Sequence, residues 1–288
     1  MNINSNIPLK NILYMGLFLF LQFNSLYANA NANANANANA NANANANAIS
    51  DKGYSIAARS DRSDRGFSDS IVEMTMILRN SAGKQASRTL QFKTLEIPDE
   101  SVGDKGLILF RTPKDIEGTA LLSHAKILKS DDQWLYLPAL KRVKRISSRN
   151  KSGPFVGSEF AFEDFTASEL NKFSYKYLRE ENCGKLICDV IERIPLYENS
   201  GYKKQISWID NSIYQLRKIE FYDRKGSLLK ELILKDYRVY DQKYWRPHKL
   251  KMNNIQTKKS SDLIYDEYIF NLGLTDNDFV KGRLTGLR

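Results

Sequence analysis

From Val72 to Leu272 the sequence keeps returning to a period of two. Val72, Met74, Met76 and Leu78 alternate with Glu73, Thr75, Ile77 and Arg79, the pattern of a half-buried strand. Asn80-Ser81-Ala82-Gly83-Lys84 then turns the chain. Arg88, Leu90, Phe92 and Thr94 share one face of the next strand, completing a hairpin. Further strands are predicted over 105–111, 120–128, 133–137, 141–146, 176–181, 186–194, 203–210, 214–222, 228–240, 244–253 and 263–272. Turn clusters at Lys129–Asp132, Asp210-Asn211, Asp223–Gly226 and Asn253-Asn254 punctuate them. Turns recurring roughly every 8–12 residues predict a large antiparallel sheet or an all-β barrel. Leu228, Leu229, Leu232, Ile233 and Leu234 make one strand apolar on both faces, so the sheet is expected to be covered and to line something apolar.

Helix signals are few. Ser50–Arg62 reads as an N-terminal helix capped by Ser50 or Asp51. Phe160–Leu170 reads as a second, because Phe162, Phe165 and Leu170 can share one stripe. Asp276–Lys281 suggests a terminal turn.

The first 49 residues differ in kind from the rest. Residues 1–28 have the form of a secretory signal, with Lys10 as the positive residue, an apolar run from Ile12 to Phe23, and Ala28-Asn29-Ala30 as a cleavage site. The run is shorter than the ~20 residues of a membrane span. No Cys lies near the junction, so a lipid anchor is not expected and the mature protein should be soluble and periplasmic. Residues 29–49 are Asn-Ala repeat and then Ile49, with no charge and no apolar period, and read as a disordered spacer. Residues 50–288 form the folded part, with no internal linker long enough to divide it, and are expected to be one domain.

The formal net charge is +10, with a dense basic patch at Lys141, Arg142, Lys144, Arg145, Arg149 and Lys151. Export argues against nucleic acid. It leaves anionic phospholipid, an acidic membrane partner, or a merely solvated strand. Cys183 and Cys188 flank a predicted hairpin turn at Gly184. In an oxidising compartment they either form a disulfide or stay as two thiols.

Catalytic patterns are not visible. His124 and His248 are far apart and outside any metal motif, and the sequence has neither a G-x-S-x-G elbow nor a glycine-rich phosphate loop. Glu163 and Asp164 are adjacent acids on a predicted helix, where capping or surface charge is the plainer role. The sequence points away from an enzyme and implies no cofactor and no metal.

One segment is distinctive. W-L-Y-L-P-A-L-K-R-V-K-R-I (134–146), followed by G-S-E-F-A-F-E-D (157–164), resembles the LolA-like proteins of outer-membrane lipoprotein sorting. The resemblance runs from about Ile56 to Leu284. It includes I-A-A-R-S-D-R-S-D-R-G-F, M-T-M-I-L-R-N-S-A-G-K, L-I-L-F-R-T-P-K-D-I-E-G-T-A-L-L, Y-W-R-P-H-K-L-K-M, and Phe279 with Leu284. The Asn-Ala stretch departs from the family pattern.

The resemblance implies an α+β fold: an unclosed, strongly curved antiparallel β-barrel with a few short helices as a lid over an apolar cavity. It implies a periplasmic, monomeric carrier of an acyl chain, belonging to a lipid or lipoprotein, with an inner-membrane lipid transporter as a partner. Expected cavity residues are Met74, Met76, Leu107, Leu109, Trp134, Tyr136, Phe160, Phe162, Phe165 and Trp208. Any of these can equally be ordinary core. Arg142 and Arg145 are expected to meet a headgroup or the acids Glu163 and Asp164. The alternative is an accessory module that docks on a lipid-exporting transporter and holds no apolar ligand.

Overall fold

The computed structural model describes residues 10–99, 101–166 and 169–287, and for residues 10–34 the backbone alone. Residues 1–9 of the expected signal, and Ala167 and Ser168 of the expected second helix, lie outside the described residues. The chain forms two compact units, Met1–Ile49 and Ser50–Arg288.

The first unit is helical. The helix α1 spans Lys10–Ser63, and residues 35–49 in it are exposed. A disordered spacer was the expectation for this stretch, and a helix starting at Ser50 for the next. The helix instead passes through both. Alanine is the best helix former, and Asn side chains directed into water do not compete for the backbone.

The second unit contains fourteen strands in one sheet. They are β1 (Asp69–Arg79), β2 (Gln85–Leu95), β3 (Lys105–Thr112), β4 (Ala120–His124), β5 (Asp132–Leu137), β6 (Arg142–Ile146) and β7 (Phe173–Cys183). Then follow β8 (Leu186–Pro195), β9 (Tyr202–Asp210), β10 (Leu216–Asp223), β11 (Leu228–Tyr240), β12 (Tyr244–Asn254), β13 (Ser260–Tyr265) and β14 (Ile269–Phe270). The order is β6-β5-β4-β3-β2-β1-β13-β12-β11-β10-β9-β8-β7, with β14 paired to β1. The pairs are antiparallel, the sheet is not closed, and the fold is α+β. Two meanders join where β1 meets β13, with Met76 opposite Leu263 and Met74 opposite Tyr265.

Alternation sorts the strands onto two faces. Met74, Met76, Leu90, Ile108, Phe110, Leu121, Leu232, Met252 and Leu263 form the main core with Phe155 and Phe160. On β3 the intervening Leu107 and Leu109 pack the other way, with Leu122, Phe279 and Leu284. The C-terminal single-turn helices Asp276–Phe279 and Lys281–Gly286 supply those last two side chains. Ile56 and Ala57 of α1 pack on Phe173, Tyr175, Ile191 and Ile209 of β7–β9. There Gly53 lies on the backbone of β7. A Cβ on it would stand 2.7 Å from the Tyr177 nitrogen and 2.8 Å from the Lys176 carbonyl carbon, so only glycine fits.

The link from β6 to β7 is not the helix predicted for 160–170. It folds as single turns at Ser148–Asn150, Phe155–Gly157, Phe162–Phe165 and Leu170–Lys172. Its amides bond across the loop instead of along a helix. Phe162 N–H donates to Gly153 O (3.2 Å), Glu163 N–H to Lys151 O (3.0 Å) and Phe155 N–H to Phe160 O (2.7 Å). Val156, a β-branched residue, is left-handed here (φ 45°), and its carbonyl accepts from the Arg88 guanidinium.

Candidate functional site: a cavity on one face of the sheet

Alternation also decides what faces the space beneath that link. On β9, Gln205, Ser207 and Ile209 point one way and Ile206 and Trp208 the other. On β10, Ile219 and Phe221 join the first set. These residues bound a cavity of about 540 Å³ together with Phe92 of β2, Phe160 and Phe165 of the link, Ala57 and Asp61 of α1, and Leu263 of β13.

Two pairs of opposite charges stand at the cavity, where Asp164, Asp131 and Lys172 line the wall. Asp164 accepts from Lys230 Nζ (2.7 Å), from Tyr202 Oη (2.7 Å) and from the Ala161 amide (2.7 Å). The Asp164 and Lys230 side chains are nearly buried, at 8% and 4% exposure, so the pair is a desolvated one. Lys172 pairs with Asp131 in the same way. Burial, and then the neighbouring Asp164 charge, lift the Tyr202 hydroxyl well above the phenol range.

Glu163 accepts from the Gly201 amide (2.8 Å), Ser200 Oγ (3.1 Å) and Tyr197 Oη (3.3 Å). Burial, and then Asp164 beside it, push its carboxyl up to about 7. Asp104, also on the cavity wall, is pushed up to about 6, by burial above all. Among the described residues, no three His, Cys, Asp or Glu side chains come together as a metal site.

The expected site residues fall into four places. Phe160 and Phe165 line the cavity, with ring centroids 5.5 Å apart. Met74, Met76 and Phe162 belong to the adjoining core, where Phe162 packs edge-on against Phe155. Leu107, Leu109, Trp134 and Tyr136 pack on the opposite face, under the C-terminal turns. Trp208 is in a separate cluster with Cys188, Val190 and Ile206, where its indole N–H donates to Glu181.

Arg142 and Arg145 lie on β6, an edge strand, and both are exposed. Neither meets Glu163 or Asp164, contrary to one of the sequence expectations. Arg145 pairs with Asp132, the first residue of the strand that β6 joins, while the two acids face the cavity. Lys151 leaves the basic patch altogether. It is buried, and its ammonium donates to Ser130 Oγ (2.7 Å) and the Asp131 carbonyl. Cys183 and Cys188 are joined across the β7–β8 hairpin, with Cα atoms 5.9 Å apart. The register sets Cys183 against Leu186 and Cys188 against Glu181, so the two are diagonal and not directly opposed.

Gln205, Ser207 and Tyr202 are cavity residues that sequence reasoning missed, and it also missed Lys230, which pairs with the cavity residue Asp164. Their strands were visible, but the side facing the cavity depends on register, which no local pattern gives.

This cavity sits in a fold with known relatives. A family model described as "Uncharacterized protein" matches residues 103–286. A proposed outer membrane lipoprotein-sorting protein domain from Vibrio parahaemolyticus is 49% identical, over 82% of this chain and 99% of that one, with a TM-score of 0.80. A DUF1329 family protein from Desulfovibrio piger is 25% identical over 82% of this chain and 99% of its own, with a TM-score of 0.78. A LolA superfamily protein from Nitrosomonas europaea, 20% identical over 79% and 97% of the two chains, shares the fold with a TM-score of 0.64. No curated protein matches the sequence. The chain belongs to the LolA-like family of outer membrane lipoprotein-sorting proteins.

Proposed function

We propose that this protein is a periplasmic carrier that takes the acyl chain of a lipid or lipoprotein into the cavity and transfers it between envelope membranes. The cavity carries the reading. Its volume lies in the range of small-molecule sites, and Phe92, Phe160, Phe165, Ile219, Phe221 and Leu263 give it an apolar lining. Each methylene buried there gains about 0.8 kcal/mol. The charged groups at the cavity that pair with one another, Asp164 with Lys230 and Asp131 with Lys172, need no counter-ion from the ligand. Phe160 and Phe165 are the expected residues in contact with the chain, and Phe162, Met74 and Met76 back them.

Phe92 and Phe221 border the same cavity although their strands are five places apart in the sheet order. At ~4.8 Å per strand, a flat sheet would separate them by about 24 Å. That supports a strongly curved, half-open barrel. The link over the cavity is built of single turns, with Glu163 and Asp164 as its clasps, which suits a cover that must open at a membrane. Leu107, Leu109, Trp134, Tyr136 and Trp208 then serve as packing on the outer face.

A carrier needs a donor and an acceptor membrane, and a lipid-exporting transporter of the inner membrane is the expected partner at one of them. The exposed basic edge at β6 is suited to that contact. It also favours the second reading, an accessory module that docks without a lipid. Mass spectrometry of organic extracts from detergent-free periplasmic protein separates the two. The carrier reading expects a stoichiometric phospholipid or acylated peptide that a mock purification lacks. Protein that is free of lipid and takes up no fluorescent fatty acid would leave only the docking module.

A further inference from the structure

Among the described residues, two polar atoms in the cavity wall find no hydrogen-bond partner. Gln205 Oε1 and Ser207 Oγ are buried and make no hydrogen bond. Gln205 is 4% exposed and Ser207 1%. Both side chains border the cavity. Their neighbours on the same face are mostly apolar. Ser207 stands between Ile191 of β8 and Ile219 of β10, and Gln205 between Arg193 and Phe221. Buried polar atoms are nearly always bonded, and a hydroxyl or amide in such a place costs stability unless something bonds to it. Nothing in the fold of β9 demands them, since Ile209 two residues on fills the same wall with a hydrocarbon side chain.

We infer that Gln205 and Ser207 form a polar subsite inside the apolar cavity. It recognises an amphiphile whose acyl chain is joined through a group holding both a hydrogen-bond donor and an acceptor, a secondary amide or a chain hydroxyl. This inference rests on the carrier reading and narrows its cargo. The argument is one of complementarity. Gln205 Oε1 accepts and so calls for an N–H or O–H. Ser207 Oγ–H donates and calls for a carbonyl or hydroxyl oxygen. Residues two apart on one strand face are about 7 Å apart. One secondary amide, bonded at each end, spans a comparable distance of about 8 Å. A simple ester offers an acceptor and no donor, so it satisfies Ser207 and leaves Gln205 unbonded. A bare hydrocarbon satisfies neither.

The test is displacement of a dansyl-labelled fatty acid from the full mature protein by N-methyldecanamide or by methyl decanoate, which carry the same acyl chain. The wild type should bind the amide about tenfold more tightly than the ester, the value of one neutral hydrogen bond in a dry site. Gln205→Leu should lower amide affinity to that of the ester, which stays as it was, while Ser207→Ala should lower the affinity of both ligands by about the same factor. Retained binding of the labelled fatty acid also shows that each variant is folded. Equal affinity for amide and ester in the wild type, or a preference that survives Gln205→Leu, overturns the subsite and leaves the carrier intact, the polar pair then bonding to ordered water. Failure of the probe and both ligands to bind at all overturns the carrier reading and the subsite with it.

Discussion

Glu163 and Asp164 are adjacent in sequence and keep different company. Asp164 is held by a buried ammonium, while Glu163 has only neutral donors, from Gly201, Ser200 and Tyr197. Its carboxyl, lifted to about 7, therefore holds a proton in the folded protein over a range where the unfolded chain has released it, above about 4.5. The folded state binds more protons between those values, so stability is fully present below pH ~4.5 and is lost as pH rises through about 7. Asp104, lifted to about 6, adds a slope of the same sign at lower pH. Urea midpoints from pH 4.5 to 8 should fall across this window in the wild type. Glu163→Gln should remove the part nearest neutrality, making the protein more stable than wild type at pH 8 by about 2 kcal/mol, with allowance for partial solvent contact at the cavity wall. An unchanged slope in that variant would show that Glu163 is charged throughout. None of this was visible from the acids alone. The partners of Glu163 lie 34 to 38 residues downstream and the Lys230 ammonium 66 from Asp164, so a clasp reads locally as two surface charges.

Elements separate along the same line. Strands were legible, down to β11 with both ends in place, because alternation is a local signal that the pleat imposes. The link between β6 and β7 was not. Phe162, Phe165 and Leu170 keep a helical spacing, yet their backbone bonds run across the loop and the rings fill a core around Phe155. Tertiary burial overrode a weak stripe. The basic strand β6 was read correctly as a strand, but only the sheet order reveals that it is an edge, with Arg142, Lys144 and Arg145 exposed. If this edge meets anionic headgroups, binding to phosphatidylglycerol vesicles should weaken with added salt. Reversing the three charges together (R142E, K144E, R145E) should lower it more than tenfold, at about 1 kcal/mol for each cation lost. Vesicle binding that ignores both changes would move the contact elsewhere on the molecule.

At the scale of the whole molecule, stability belongs to residues 50–288. The core clusters, the cavity and the disulfide all lie within that unit. A chain beginning at Ser50 should unfold in one cooperative step at the same temperature as the longer protein, within about 2 °C. A markedly lower midpoint, followed by circular dichroism, would mean that the Asn-Ala helix contributes to the fold.

An unclosed sheet has two ends, and each end is an invitation to a further strand from another molecule. On β6 the cations discourage it by like-charge repulsion. On β7 the guard is α1, whose backbone rests on Lys176 and Tyr177 at Gly53, which has no side chain. The segment that walls the cavity is therefore also a stopper against self-association. Clipping the chain between Gly53 and the first strand would uncover a long, twisted β ribbon, and the product to expect is a growing polymer of otherwise folded subunits.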